Sequence, residues 1–341
     1  FTVGGAGWYR KKFVTEKNFQ NHLITILFDG VYMNSDVWLN GHHLGNHPYG
    51  YTPFYYDVTP YLNATGRENV LAVRVQNEGK NSRWYSGSGI YRHVWMTVTE
   101  PVHVDTWGIY ITTPEVSTSA ASVLIKAKIK NEQSAQNKFS LITTIISPAG
   151  NIVGKTENAL QLRSNAVSTD SQIIRFSQPI LWSVESPNLY KAVTEIKSGD
   201  KIIDKTETSF GIRSIQFDAD KGFLLNGKRV VLKGGCLHND NGPLGSAAID
   251  RAEVRKIELL KKAGYNAIRL SHNPTSTQLL NACDRLGMLV LDEAFDMWED
   301  AKNPQDYHLY FNDWWKKDLD AMILRDRNHP SVFMWCIGNE E

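Results

Sequence analysis

The sequence has few cysteines, no long apolar run and no segment that resembles a signal peptide at its start. It has three cysteines, Cys236, Cys283 and Cys336, and their spacing matches neither a disulfide framework nor a zinc-binding motif. We expect each to be a free thiol in a buried strand or helix. No run approaches the ~20 apolar residues that a transmembrane helix needs, and the residues from Phe1 onward do not resemble a signal peptide.

An excess of charge of one sign is also absent. Lys and Arg total 37 while Asp and Glu total 36, so the formal net charge is +1 at pH 7. This balance does not indicate a nucleic-acid or anionic-membrane partner, and it favours a small molecule or a neutral polymer as substrate. The ten tryptophans suit stacking on sugars and equally suit the cores of β-sandwiches.

Residues 1–99 are predicted to form a β-sandwich, because short alternating segments are separated by turn signals. The pair Asn40-Gly41 predicts a hairpin, since both residues readily adopt the positive φ angles of a two-residue turn. Near the end of this region a Gly- and Ser-rich loop carries Arg83, Trp84 and Tyr85. Such a loop is typical of ligand contacts, and packing against a neighbouring domain is an equal alternative.

Residues 100–213 are predicted to form a second, immunoglobulin-like β-sandwich. Apolar and polar residues alternate in 123–129 and again in 139–146, and 147–151 supplies a turn. Because ionisable residues do not cluster here, we assign this region no chemistry. The aromatic segment 181–190 is interpreted as a strand that enters a domain contact.

Residues 214–341 change to a pattern of alternating strands and helices. Four buried strands are predicted at 229–235, 266–270, 288–291 and 332–337. Three helices are predicted from Asp250 to Gly264, from Ser276 to Leu286 and from Asn312 to Arg325. Asp250 is the expected N-cap of the first helix, with Glu253 completing a capping box.

Strict β-α alternation implies a parallel sheet with right-handed crossovers. Polar residues follow every predicted strand, which favours a (β/α) barrel over a doubly wound sheet, because barrel enzymes place their catalytic groups there. Glu340, after the fourth strand, is the leading catalytic candidate. The alternative is that Glu340 and Glu341 begin the next helix, where acidic side chains suit the helix dipole. A full barrel takes ~250 residues, so we expect the first half of a barrel, within a longer protein.

The chain contains several long motifs, which are, in chain order, GVYMNSDVWLNGHHLG, SRWYSGSGIYR, FGIRSIQFDADKGFLLNGKRVVLKGGCLH, NAIRLSHNP, CDRLGMLVLDEAFD and RDRNHPSVFMWCIGNE. They resemble glycoside hydrolase family 2, the β-galactosidase, β-glucuronidase and β-mannosidase family, along essentially the whole chain. The resemblance implies a jelly-roll sugar-binding domain, an immunoglobulin-like domain and a TIM barrel, and it is closest to β-galactosidase-like members from gut Bacteroidetes.

This resemblance implies a retaining, exo-acting glycoside hydrolase that cleaves terminal β-D-galactosides, so its partner would be a glycoside or oligosaccharide. Glu340 would be the general acid/base, and the nucleophilic Glu would lie outside this sequence. Two alternatives are a β-glucuronidase and a catalytically incomplete carbohydrate-binding fragment. The family's role in polysaccharide breakdown implies a periplasmic or secreted enzyme, and a homo-oligomer is also compatible with it.

The resemblance also assigns roles near the strand ends. Asn339 would hydrogen-bond the sugar 2-hydroxyl, and His238 and His272 would contact the sugar or the transition state. Arg269 would lie near the nucleophile and keep it ionised. Alternatively, the histidines satisfy loop backbone groups and Arg269 forms a buried ion pair.

Asp240 and Glu293 also lie at the rim of the predicted barrel. They contact the sugar or, as the alternative, orient neighbouring side chains.

The resemblance also implies one possible metal cofactor, magnesium. In its bacterial lactases a Glu-x-His motif after the third strand helps to bind magnesium, and the matching stretch here, 294–300, has no histidine. Carboxylates suit magnesium, which leaves Asp296 or Glu299 as alternative ligands. We predict no required metal or other cofactor, because acetal cleavage by two carboxyl groups does not need one.

Overall fold

The computed structural model describes residues 4–16, 19–84, 87–134 and 137–340. Tyr85 and Glu341, which the sequence interpretation mentions, lie outside these residues. Two antiparallel β-sandwiches are followed by a parallel sheet with helices, as the sequence predicts. Within the described ranges, the helices are all too short or too polar to cross a lipid bilayer.

The first sandwich packs a sheet of order β1-β7-β4-β5 against one of order β6-β2-β9, while β3 pairs with β8. Its core is aliphatic and aromatic, with Phe28, Val37 and Leu39 fully buried. The predicted hairpin at Asn40-Gly41 is confirmed, with φ angles of 50° and 88° between β4 and β5. The strands are β1 (Gly5–Val14), β2 (Leu23–Phe28), β3 (Val31–Tyr32), β4 (Ser35–Leu39), β5 (His42–His47), β6 (Phe54–Asp57), β7 (Glu68–Asn77), β8 (Gly89–Ile90) and β9 (Val94–Thr99).

The second sandwich packs a sheet of order β10-β11-β14 against one of order β13-β12-β15-β16. Ile125, Leu141 and Ile196 are fully buried between the sheets, because alternate residues of each strand face inward. The strands are β10 (Val102–Val116), β11 (Ala120–Asn131), β12 (Asn137–Ile146), β13 (Ile152–Leu162), β14 (Ala166–Ser177), β15 (Tyr190–Ser198) and β16 (Lys201–Phe210).

The segment 181–190 forms the predicted domain contact, but before Tyr190 it contains an isolated β-bridge between Trp182 and Pro187 in place of a strand. Trp182 is completely buried, and its Nε1 donates a hydrogen bond of 2.8 Å to the carbonyl oxygen of Asp284. Its ring packs with Phe223 and Leu289. The second sandwich is therefore joined to the barrel region by a buried aromatic side chain.

The barrel region begins with a small antiparallel sheet of three strands and continues as four parallel strands in chain order, β20-β21-β22-β23. The antiparallel strands are β17 (Ile215–Asp218), β18 (Gly222–Leu225) and β19 (Lys228–Arg229), of which the last two form a hairpin. The parallel strands are β20 (Gly234–Leu237), β21 (Ala267–Leu270), β22 (Leu289–Glu293) and β23 (Val332–Cys336), and the helices are α1 (Asp250–Lys262), α2 (Thr277–Leu286) and α3 (Phe311–Asp326).

Two details at the start of the barrel region differ from the prediction. Arg229 belongs to the hairpin, because the turn at Asn226-Gly227 folds β18 onto β19, and the first parallel strand begins only at Gly234. The capping box on α1 is also wrong. Ile249 is the N-cap and makes no side-chain cap bond, while Glu253 is buried and accepts a hydrogen bond from Asn241 at 2.6 Å.

Two burial predictions are wrong as well. The run 332–337 was expected to be covered on both faces, yet Met334, Trp335 and Ile337 are exposed, because β23 is an edge strand of the described sheet. All three cysteines are free thiols, but Cys236 is exposed and Cys336 only half-buried, so Cys283 alone matches the expected burial.

Glycines end both α1 and α2 as the sequence predicts. Gly264 follows α1 with φ 89°, and Gly287 caps α2 in the left-handed region with φ 72°. At Gly287 an added Cβ would overlap the carbonyl oxygen of Val184 in the second sandwich, whereas at Gly264 it would meet open space. The end of α2 therefore lies tightly against the domain contact.

We expect Gly287→Ala to destabilise the protein more than the matched control Gly264→Ala. Both substitutions place a Cβ in the left-handed region, which costs about 1 kcal/mol. Only Gly287→Ala also overpacks a close contact, which adds roughly 1–3 kcal/mol. Urea denaturation of the two variants measures the difference in free energy of unfolding. Equal losses would contradict the tight contact between α2 and Val184.

Candidate active site

The parallel register places the carboxyl ends of β20 to β23 along one edge of the sheet. His238 directly follows β20, His272 lies two residues beyond β21, Glu293 is the last residue of β22, and Asn339 and Glu340 follow β23. The strands thus bring together residues that are up to 102 positions apart in sequence (340 − 238). This edge is where a barrel would carry its chemistry.

An ion pair between a half-buried arginine and a buried carboxylate lies at the centre of this edge. Glu293 is fully buried, and its two carboxylate oxygens accept hydrogen bonds from Arg269 Nε at 2.5 Å and Nη2 at 2.8 Å. These bonds raise the pKa of the Arg269 guanidinium above its ordinary value. His272 Nδ1 lies 3.0 Å from Glu293 Oε1, so one carboxylate orients both side chains. The ion-pair alternative for Arg269 is present in the structure, and it forms part of the candidate site.

Asn339 connects this ion pair to the fourth strand. Its Oδ1 accepts a hydrogen bond from Arg269 Nη2 at 2.9 Å, and its Nδ2 donates one to Asp296 Oδ1 at 3.0 Å. Its backbone carbonyl accepts a bond from Lys302. The side chain is buried and held in one orientation by partners on β21 and on the loop after β22.

Arg83 reaches the same edge from the first sandwich. Its Nε and Nη2 donate to the two oxygens of Asp296 at 3.2 Å and 2.5 Å, and its Nη1 donates to Glu340 Oε2 at 3.1 Å. Burial raises the pKa of Asp296, but the bonds from Arg83 and Asn339 outweigh this and lower it below the ordinary value. The loop that carries Arg83 therefore packs on the barrel beside the candidate site, and ligand contact by this loop stays a prediction.

Glu340 is the most accessible carboxyl group of this set. Its side chain is 67% exposed, in contrast to the buried Glu293 and Asp296. Its backbone has φ 56°, which is not a helical angle. The backbone of Glu340 itself is therefore not helical.

An aromatic wall stands beside the carboxyl groups. The rings of Trp84 and His238 lie 4.1 Å apart, and the rings of His238 and His272 are perpendicular at 5.5 Å. Burial lowers the pKa of His238, and the nearby His272 lowers it further, so the neutral imidazole is favoured. Trp84 remains 46% exposed, which leaves a ring face free for an apolar surface such as that of a sugar.

Asp240 lies apart from this network. It is half-buried, and its carboxylate makes no hydrogen bond within the described ranges. Its backbone nitrogen donates to the carbonyl oxygen of His238 at 2.9 Å, and its own carbonyl oxygen accepts a bond from Lys256 Nζ at 3.0 Å. The geometry therefore gives Asp240 a place in the loop of His238 rather than in the group around Glu293.

Two hydrogen-bonding residues of the site, Asp296 and Lys302, were not predicted as such from the sequence. Asp296, considered only as a metal ligand, links Arg83 to Asn339, and its position three residues after Glu293 was an available signal. Lys302 donates to the backbone carbonyls of Asp296 and Asn339. Nothing in the irregular loop around Lys302 marks it in the sequence.

The residues after β22 do not fit a magnesium ion. Both oxygens of Asp296 accept bonds from Arg83, so a guanidinium stands where a cation would bind. Glu299 is exposed and does not converge on Asp296. Over the whole described part of the chain, no three His, Cys, Asp or Glu side chains are grouped so as to hold a metal.

Comparison with known proteins assigns all three regions to one family. The sugar binding domain of Glycosyl hydrolases family 2 matches residues 1–101, the family's central domain matches 102–213, and its TIM barrel domain matches 218–341. A beta-galactosidase of Bacteroides ovatus, BoGH2A, is 46% identical over 99% of this chain and 40% of its own length. The chain thus spans well under half of that relative.

Solved structures give the same family. A glycosyl hydrolase family 2 member from Bacteroides cellulosilyticus is 51% identical with a TM-score of 0.98, over 100% of this chain and 44% of that one. The Bacteroides uniformis beta-glucuronidase is 31% identical with a TM-score of 0.88, over 99% of this chain and 41% of that one. With three domains matched in order and the strand-end residues assembled along one edge, the chain belongs to glycoside hydrolase family 2.

Proposed function

We propose that the protein is a retaining, exo-acting glycoside hydrolase that cleaves terminal β-D-galactosides, with Glu340 as its general acid/base. The observation that carries this proposal is the placement of Glu340. It is a solvent-accessible carboxyl group at the carboxyl end of the fourth parallel strand, next to an asparagine held by the Arg269–Glu293 pair. The choice of galactose rests on the name of the Bacteroides ovatus relative.

The reaction proceeds in two steps, each of which uses Glu340. In the first, a carboxylate from outside this sequence attacks the anomeric carbon while the Glu340 carboxyl group protonates the departing glycosidic oxygen. In the second, Glu340 takes a proton from water, which attacks the anomeric carbon and releases the first carboxylate. Arg83, bonded to Glu340 Oε2 at 3.1 Å, holds the acid in position for both transfers.

The remaining strand-end residues bind and orient the sugar. Asn339 presents its amide toward the 2-hydroxyl, while Arg269 and Asp296 fix its orientation. His238 and His272 contact the sugar in the transition state, and Trp84 packs against a face of the substrate. Asp240 acts through the loop that carries His238, because its backbone bonds to that histidine.

The proposed chemistry needs no metal. Two carboxyl groups suffice for acetal cleavage, and the guanidinium of Arg83 occupies both oxygens of Asp296. Export to the periplasm or the medium fits an enzyme that acts on glycans outside the cell.

A β-glucuronidase is the second candidate. The likeness to the Bacteroides uniformis beta-glucuronidase favours it, and the same Glu340 chemistry would serve both sugars. A third candidate, a carbohydrate-binding protein without turnover, predicts binding of the same glycosides without hydrolysis.

We predict that Glu340→Gln in the full-length protein abolishes most hydrolysis of a panel of aryl β-glycosides. The unmodified protein is assayed on the same panel with and without EDTA. General acid/base catalysis typically contributes 10²–10⁴-fold, so kcat for a galactoside with a poor leaving group should fall by about that factor. The glycoside that the unmodified protein hydrolyses identifies the sugar, and EDTA should leave its rate unchanged.

Glu299→Gln is the matched control for this experiment, because Glu299 is an exposed carboxylate on the adjacent loop. It should retain full activity. Full activity in Glu340→Gln would contradict the acid/base role. Loss of activity with EDTA would contradict the metal-free proposal, and galactoside binding without turnover by the unmodified protein would favour the carbohydrate-binding alternative.

Trp84→Ala should raise KM for the aryl glycoside more than it lowers kcat, since the ring contributes stacking area to ground state and transition state alike. A lost aromatic contact of about 1 kcal/mol corresponds to a severalfold rise in KM. The control is Trp8→Ala, because Trp8 is 53% exposed on β1 of the same sandwich without a ring contact to the site histidines. Equal effects of the two substitutions would show that Trp84 is not a substrate contact.

A further inference from the structure

Arg92 is a buried arginine that joins the first sandwich to the barrel. It lies between β8 and β9, and only 6% of its surface is exposed. Its Nη1 donates to the carbonyl oxygens of Asp29 at 3.3 Å and Tyr51 at 2.8 Å, both within the sandwich. Its Nη2 donates to Asn239 Oδ1 at 3.2 Å and to the carbonyl oxygen of Pro274 at 2.7 Å, both in the barrel region.

The two barrel acceptors lie beside the two candidate histidines. Asn239 directly follows His238, and Pro274 is two residues after His272. These acceptors belong to separate loops, one after β20 and one after β21. A single nitrogen of a planar, rigid guanidinium therefore contacts both loops and fixes their separation.

The contacts of Arg92 are not those of an arginine that mainly stabilises the fold. Its Nε is buried without a hydrogen-bond partner in the described part of the chain, and its bonds go to neutral oxygens. Its guanidinium lies 4.9 Å from the centre of the Tyr91 ring, and its charge acts on the buried carboxyl group of Asp292 without a direct hydrogen bond. Burying a guanidinium without a directly bonded carboxylate is costly, and such a cost is tolerated where geometry serves function.

We propose that Arg92 is a positioning residue, which sets the spacing of His238 and His272 by holding their loops against the first sandwich. The proposal rests on the proposed glycosidase function, in which the histidines contact the sugar. The perpendicular rings of His238 and His272, 5.5 Å apart, are the arrangement that Arg92 maintains.

Arg92→Lys tests this role, because lysine keeps the charge and lacks the planar fork. Asn239→Ala is a second variant that removes one barrel acceptor and leaves the other three bonds of Arg92 in place. Arg213→Lys is the matched control. Arg213 is a half-buried arginine that bridges to the barrel, but it donates to the carbonyl oxygen of Val332 at the first residue of β23, the opposite end of the strands.

The experiment measures melting temperature, kcat and KM of the full-length protein for two aryl glycosides with good and poor leaving groups. A small displacement of a catalytic contact can cost on the order of 100-fold, so Arg92→Lys should lower kcat/KM by roughly 10- to 100-fold with both substrates alike. Asn239→Ala should cause a smaller loss of the same kind. Arg213→Lys should lower the melting temperature while leaving kcat/KM unchanged.

Glu340→Gln, assayed beside these variants, separates this proposal from the proposed function. Loss of its acid should matter more for the poor leaving group. The positioning role would be overturned if Arg92→Lys lowered kcat/KM no more than Arg213→Lys does. It would also be overturned if the loss of kcat/KM in Arg92→Lys depended on the leaving group. A Glu340→Gln variant without leaving-group dependence would instead overturn the proposed function.

Discussion

The parallel register of four short strands is the constraint on which the rest of this structure depends. Gly234 pairs with Ala267, Ala267 with Leu289, and Val290 with Val332, so the four strands end along one edge. The Arg269–Glu293 pair spans neighbouring strands at that edge and is further bonded to Asn339 on the loop after the fourth. A shift of one strand would separate this buried carboxylate from its guanidinium, which is expensive in a low-dielectric interior.

The first sandwich completes the site that the strands begin. Arg83 and Trp84 reach over the strand ends. The Tyr49 hydroxyl oxygen lies within hydrogen-bond distance of Asn273 Oδ1, at 2.7 Å, and of the carbonyl oxygen of Ala294, at 2.6 Å. His47 bonds to Asp318 of α3 at 3.0 Å. These buried polar contacts need defined partners at defined distances, so they select one docking geometry. The sugar-binding domain is therefore part of the candidate site itself.

The sequence predicts those features that depend on local chemistry or on a repeating pattern. Asn40-Gly41 forms its hairpin because turn conformation is set by the two residues themselves, and β-α alternation placed His272 and Glu340 at strand ends. Contacts between distant segments were not predictable in this way. Arg83 and Asp296 are 213 residues apart and meet only through domain packing. Glu253 of α1 is buried and bonded to Asn241 in the loop after β20 instead of capping the helix. Trp335 is exposed because β23 is an edge strand of the described sheet. An apolar segment in the sequence does not predict whether a strand has a neighbour on both sides.

The most direct test of the central claim replaces Glu340 by glycine in the full-length protein and adds azide during turnover of an activated aryl β-glycoside. If Glu340 is the acid/base, the glycosyl-enzyme forms but water is no longer activated to release it. Azide, which needs no base, then enters the space of the missing side chain and attacks the anomeric carbon. We predict a rate that rises with azide and a β-glycosyl azide product of retained configuration. A variant that hydrolyses the glycoside at the unmodified rate, or that is inactive and yields no glycosyl azide, would contradict the assignment of Glu340.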